Sequence, residues 1–212
     1  MREHTIQAVL DNKLVAIVRG LGEEQIIPLA QALGQGGIKM IEVTFNQSDP
    51  DSFATTANAI RALVKEGVSA GAGTVCTRAQ LDMAAEAGAQ YIITPVTNPT
   101  LITEVRKMGL VSIPGALTPT ECMIAHEAGA DFIKLFPMGS LGVDYLKAIR
   151  APLNHLKFLA VGGVNERNLK DFLAVGAVGF GVGGNLVNKD WVEAGEFDKI
   201  TALAKKYVEG LG

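Results

Sequence analysis

Short apolar runs of β character alternate with longer helical stretches from residue 14 to the C-terminus. The runs read LVAIVRG (14–20), KMIEVTF (39–45), SAGAGTV (69–75), YIITPVT (91–97), VSIPGAL (111–117), DFIKLFP (131–137), KFLAVGGV (157–164) and VGFGVGG (178–184). This alternation is the pattern of parallel strands joined by crossover helices. Four helical stretches close on similar chemistry: LGQGG before the second run, EAGA at 86–89 and again at 127–130, and AVGA at 174–177. Glycine enters the left-handed region at no steric cost, so each motif marks a helix stop followed by a strand start. Thr118, Pro119 and Glu121 have the spacing of a capping box with proline at the first helical position, which predicts a helix start just after the fifth run. Residues 2–12 read as an extra helix ahead of the repeat, and residues 191–211 as one last amphipathic helix.

Eight strand–helix units predict an α/β fold, a (β/α)8 TIM barrel with an extra N-terminal helix. The open doubly wound alternative would carry a glycine fingerprint in the first βα turn, and that turn reads VRGLGEEQ. No linker or shift in composition divides the 212 residues, so one domain spanning 1–212 is expected.

Composition narrows the function classes. With 48% apolar and 19% charged residues the chain is a folding, globular one. A net charge of −3 with dispersed Lys and Arg offers no field for a nucleic-acid backbone. The first residues lack the apolar core of a signal peptide and no apolar run approaches the ~20 residues that cross a bilayer, so a cytoplasmic location without membrane contact is expected. Cys76 and Cys122 lack metal-pair spacing and are too few for a disulfide framework; they read as reduced packing thiols. His4, His126 and His155 show no HxH or HxxxH spacing, so neither a metal nor another cofactor is expected.

Charges inside apolar strands carry the chemistry. Alternation in DFIKLFP sends Ile133 and Leu135 toward the helices and Phe132, Lys134 and Phe136 into the barrel. An enclosed ammonium is costly, and desolvation lowers its pKa toward the range where the neutral amine attacks a carbonyl. In KMIEVTF the same rule turns Met40, Glu42 and Thr44 inward. A carboxyl near that lysine could shuttle the protons a Schiff base needs; the plainer alternative is a structural Lys134–Glu42 ion pair. Arg19 closes the first strand at the end where barrel active sites sit, and its guanidinium suits a carboxylate or phosphate. Thr74 follows Gly71, Ala72 and Gly73, small residues that would let a ligand approach; its hydroxyl could hold a carboxylate or cap the next helix. The glycine-rich turns VGGVNERNL (161–169) and GVGGNLV (181–187) follow the last two strands, the usual phosphate-binding place in this fold.

The motifs LVAIVRG, GGIKMIEVTF, GAGTV, ITP at 93–95, IPGALTPTE, FIKLFP, AVGGV and GVGG, in this order and spacing, resemble the class I 2-keto-3-deoxy-6-phosphogluconate (KDPG) and 4-hydroxy-2-oxoglutarate (KHG) aldolases over nearly the whole chain. The resemblance implies Lys134 as Schiff-base lysine and Glu42 as general acid/base. It implies Thr74 and Pro95 in the keto-acid pocket, Phe136 beside the lysine, and Gly162, Gly163, Gly183 and Gly184 around a distal phosphate. It further implies a 2-keto acid substrate, pyruvate as product and a homotrimer. Two departures touch the substrate. Asn46 in EVTFNQ stands where many members carry Arg, with Arg19 resembling the placement in galactonate-type and some gluconate-type members, and Asn185 follows Gly183-Gly184 where a serine is usual. Three readings follow: cleavage of KDPG or its galactonate counterpart, cleavage of KHG, and a barrel that only binds a phosphorylated metabolite.

Overall fold

A computed structural model describes residues 2–212. Among the described residues, nine strands pair in parallel: β1 (Leu14–Arg19), β2 (Met40–Thr44), β3 (Ser69–Gly73), β4 (Tyr91–Ile93), β5 (Val111–Ile113), β6 (Gly115–Ala116), β7 (Ile133–Leu135), β8 (Phe158–Val161) and β9 (Gly179–Val182). Their order in the sheet is β5-β4-β3-β2-β1-β9-β8-β7-β6. The sheet therefore begins and ends on neighbours in the chain, separated by Pro114 alone. Proline has no N–H for the ladder, so the expected fifth strand divides there, β5 pairing with β4 and β6 with β7. The Pro114 carbonyl still accepts the Lys134 N–H at 2.9 Å. Closure through this divided strand makes a barrel of eight strand positions, as the sequence predicts.

Side-chain alternation separates two apolar clusters. Val15, Ile17, Met40, Ile93, Phe132 and Leu159 pack inside the barrel. Ala16, Val18, Ile41, Val43, Ile133 and Leu135 face the helices. Each such side chain contributes about 1.5–3 kcal/mol on full burial, and the period of two divides the apolar strand side chains between the two clusters. Val9 of α1 (Arg2–Asn12) joins the inner cluster and closes the N-terminal mouth.

The crossover helices are α2 (Glu23–Gln35), α3 (Phe53–Lys65), α4 (Arg78–Glu86), α5 (Pro99–Lys107), α6 (Pro119–Glu127), α7 (Met138–Arg150) and α8 (Leu169–Ala174). Gly37, Gly88, Gly129 and Gly176 follow helices with φ between +90° and +99°, the left-handed stops that the repeated motifs predict. Thr118 and Glu121 form the reciprocal capping box of α6. The last predicted helix is instead two, α9 (Lys189–Glu193) and α10 (Phe197–Glu209). Gly195, at φ +69°, stops α9 and lets the chain turn before α10 begins. Among the described residues, no helix is long and apolar enough to cross a membrane.

Candidate active site

At the C-terminal ends of the strands a cavity of about 290 Å3 is lined by Arg19, Thr74, Pro95, Lys134, Phe136, Gly162, Gly163, Gly183, Gly184 and Asn185, over an apolar wall that includes Ile17 and Val161. Every sequence-predicted site residue except Glu42 thus borders one space. Glu42 lies beneath it in the barrel interior, 1% exposed.

Lys134 is the middle residue of β7 and 7% exposed. Its flanking residues Ile133 and Leu135 are anchored in the outer cluster, which forces the amine inward. The Nζ stands 5.2 Å from the centroid of the Phe136 ring, itself 42% exposed at the mouth. Burial pulls the Lys134 pKa below the usual lysine range; the Glu42 carboxyl opposes that shift, Arg19 adds to it, and Cys76 weakly opposes it. Burial pushes the Glu42 pKa above the usual carboxylate range, against the pull of Lys134 and Arg19. Each shift moves its group toward the neutral form.

Among the described residues no ion pair joins Lys134 to Glu42. Glu42 Oε2 is buried without a hydrogen-bond partner. Native interiors seldom leave such an atom unpaired, and a group that must exchange protons with a reacting adduct is one accepted reason. A salt bridge kept for stability would instead show its two partners in contact.

The small residues of β3 serve a different end from the ligand approach that the sequence suggests. A Cβ at Gly71 would sit 2.2 Å from the Tyr91 ring, and one at Gly73 would sit 1.8 Å from Glu42 Oε1. Neighbouring strands fill those spaces, so these glycines make room for the Glu42 carboxyl and for Tyr91 beside it. Tyr91 is fully buried, and the nearby Glu42 charge raises its pKa in addition to burial. Thr74 does not cap the following helix; Thr77 does, accepting the Gln80 N–H. Thr74 has φ +54° and, among the described residues, its hydroxyl has no protein partner.

Around the far side of the cavity, Gly162 and Gly163 have φ of +82° and +77°. Side chains there would strike the Phe136 ring and the Gly139 backbone, so these glycines also serve close packing of the β8 loop on the start of α7. Among the described residues, the backbone N–H groups of Gly163, Val164, Gly184 and Asn185 donate to no protein acceptor. The Asn185 amide donates to the Val164 carbonyl at 3.0 Å and ties the two glycine loops together. Unpaired N–H groups on residues that border one cavity suit an anion. Arg19 projects at the same rim, near enough to Gly183 that a Cβ there would lie 2.9 Å from its Nη1.

Sequence reasoning missed Tyr91, the proximity of Cys76 to the lysine, and a pair of glutamines, Gln47 and Gln80, behind Thr74. The inward alternation of YII was available as a signal for Tyr91. At the opposite mouth, a cavity of about 330 Å3 brings His126 and His155 together, with ring centroids 5.2 Å apart, although the two are distant in sequence.

Comparison with known proteins meets this geometry. Residues 6–203 match the family model described as KDPG and KHG aldolase. The chain is 38% identical over 200 residues to the KHG/KDPG aldolase of Escherichia coli (strain K12), covering 92% of this chain and 90% of that one. It is 38% identical over 188 residues to the probable 2-dehydro-3-deoxy-6-phosphogalactonate aldolase of Rhizobium meliloti (strain 1021), covering 88% and 87%. The solved KDPG aldolase of Legionella pneumophila, with pyruvate captured as a covalent carbinolamine, superposes with a TM-score of 0.84 at 28% identity over 94% of this chain and 96% of that one. The chain belongs to the KDPG and KHG aldolase family.

Proposed function

We propose that the protein is a class I aldolase that cleaves KDPG to pyruvate and glyceraldehyde 3-phosphate. The observation that carries this reading is the enclosed, uncontacted pair: Lys134 in the cavity wall and Glu42 beneath it with an unpartnered carboxyl oxygen.

The neutral Lys134 amine adds to the C2 carbonyl of the keto acid, giving a carbinolamine, and Glu42 supplies the proton with which its hydroxyl leaves as water. The resulting iminium withdraws electrons. A base, the Glu42 carboxylate acting directly or through water, takes the C4 hydroxyl proton, the C3–C4 bond breaks, and its electron pair moves into the iminium to form an enamine. The aldehyde leaves. Return of the proton to C3 and attack of water on the iminium release pyruvate and the free amine. Arg19 and the Thr74 hydroxyl orient the substrate carboxylate or its neighbouring oxygens, Pro95 and Phe136 shape the keto-acid pocket, and Gly162, Gly163, Gly183, Gly184 and Asn185 anchor the phosphate. No cofactor is required, because the iminium is the electron sink.

Arg19 at the rim, sharing a cavity with Asn46 from the loop after β2, favours a second reading, the galactonate epimer as substrate. KHG, with a carboxylate in place of the phosphate, is a third. A coupled assay of pyruvate release on KDPG, its galactonate counterpart and KHG ranks them as specificity constants. The first reading expects KDPG to lead, and a lead of tenfold or more for another substrate would replace it. The proposal extends to a single working domain, a homotrimer and a cytoplasmic location, and sedimentation tests the assembly.

A further inference from the structure

Thr74 is a β-branched residue held at φ +54°, a conformation that non-glycine residues rarely adopt and that costs on the order of a kilocalorie or more unless its surroundings impose it. Two glutamines are hydrogen-bonded at this point. The Gln47 side-chain amide, from the loop after β2, donates to the Thr74 carbonyl at 2.7 Å. The Gln47 carbonyl oxygen in turn accepts from the Gln80 amide at 3.0 Å. Gln80, 1% exposed on α4, accepts with its own carbonyl oxygen from the Cys76 N–H at 2.7 Å and the Thr77 N–H at 3.2 Å. The chain Gln80–Gln47–Thr74 therefore holds the strained residue at its carbonyl and the two residues Cys76 and Thr77 that follow at their N–H groups. Ladder bonds frame the same point: the Gly73 carbonyl accepts from Phe45 at 2.9 Å, and the Val75 N–H donates to Ile93 at 3.3 Å.

This grip has one consequence for ligand binding. Thr74 borders the Lys134 cavity and also a second cavity of about 470 Å3 that contains Gln47, so its backbone conformation decides where its unpartnered hydroxyl points. Only one link of the chain, the amide of Gln47, reaches Thr74 itself. We propose that Gln47, seated by Gln80, is a positioning residue that holds Thr74 in its left-handed conformation so that the hydroxyl meets the carboxylate of the keto-acid substrate.

The proposal rests on the keto-acid reading of the site, and the test separates the two. Pyruvate is the probe, with cleavage kinetics and borohydride capture measured as functions of its concentration or that of KDPG. Gln47 is exposed, so Gln47→Ala and Gln47→Glu should fold; the second keeps the length and replaces the donor by an acceptor. Both should raise KM, and the pyruvate concentration for half-maximal capture, by about three- to tenfold, with kcat within twofold, as expected when a contact common to ground and transition states is lost. In a Thr74→Gly background, where the left-handed conformation carries no strain, Gln47→Ala should add nothing further. Amide hydrogen exchange of residues 74–77 should quicken in both Gln47 variants. KM values within twofold of wild type, an undiminished effect in the Thr74→Gly background, or unchanged exchange would each overturn the positioning role. If the wild-type enzyme captures no pyruvate, the keto-acid reading fails by itself, and the exchange measurement still decides whether Gln47 holds the loop.

Discussion

The Glu42 carboxyl occupies the space that a side chain at Gly73 would need: a Cβ there would lie 1.8 Å from Oε1. β2 and β3 are in register, Glu42 opposite Gly71 and Thr44 opposite Gly73, so the carboxyl leans along the neighbouring strand into the gap that its missing side chain leaves. The carboxyl proposed as acid/base is thus positioned by an absence, and refilling the absence should displace it.

Gly73→Ala is therefore expected to lower kcat by at least tenfold and to destabilise the barrel by about 1–3 kcal/mol, the usual cost of forcing extra volume into a packed interior. Steady-state kinetics beside thermal unfolding reads both. Wild-type turnover in this variant would mean that the Glu42 position is not critical.

The acid limb of kcat/KM should report the lysine. Its pKa is depressed, so the reactive neutral amine appears as pH rises through a value below the usual lysine range. The Glu42 charge raises the Lys134 pKa and Arg19 lowers it, so the two substitutions move the limb in opposite directions. Glu42→Gln shifts it to lower pH while cutting the rate by roughly 10²–10⁴-fold, and Arg19→Gln shifts it to higher pH. A pH–rate series on the three proteins checks both signs.

Stability against pH carries the matching sign for Glu42. Its folded pKa is raised, so the charged form is disfavoured in the native state, and stability is greatest below the unfolded carboxylate pKa and declines as pH rises through the folded one. Glu42→Gln lacks that loss, so its advantage in thermal midpoint over wild type should grow across that window and then level off. A gap that narrows with rising pH would contradict a Glu42 pKa raised by burial.

The anion cradle makes a separable prediction. Nothing lies within 4 Å of a Cβ at Gly184, so Gly184→Asp fits and places a negative charge at the proposed phosphate site. KM for a phosphorylated substrate should rise at least tenfold, a modest electrostatic effect by interior standards, while capture of pyruvate stays at the wild-type level. Loss of both activities together would place the anion elsewhere.

How far the sequence carried the argument depends on the range of each signal. Strand periodicity is local, so the inward direction of Lys134 and Glu42 could be read from DFIKLFP and KMIEVTF, and the eight-strand barrel from the repetition of such runs. Left-handed helix stops such as Gly88 and Gly129 were legible for the same reason. What crossed between strands was not. Gly71 and Gly73 read as clearance for a ligand because one strand does not reveal that Tyr91 and Glu42 reach into it from its neighbours. The grip of Gln47 on Thr74 joins residues 27 apart and left no pattern in either segment. Pro114 was visible, but its effect, dividing one strand between the two ends of a closed sheet, follows from closure and not from the proline alone.

The proposed chemistry rests on the amine of Lys134 forming an imine with a 2-keto acid. Incubation with pyruvate, reduction with borohydride and peptide mass spectrometry test it directly. The account predicts a single reduced adduct on Lys134, absent from a folded Lys134→Ala variant that has also lost turnover. An adduct on another lysine, or turnover near wild type in Lys134→Ala, would contradict it.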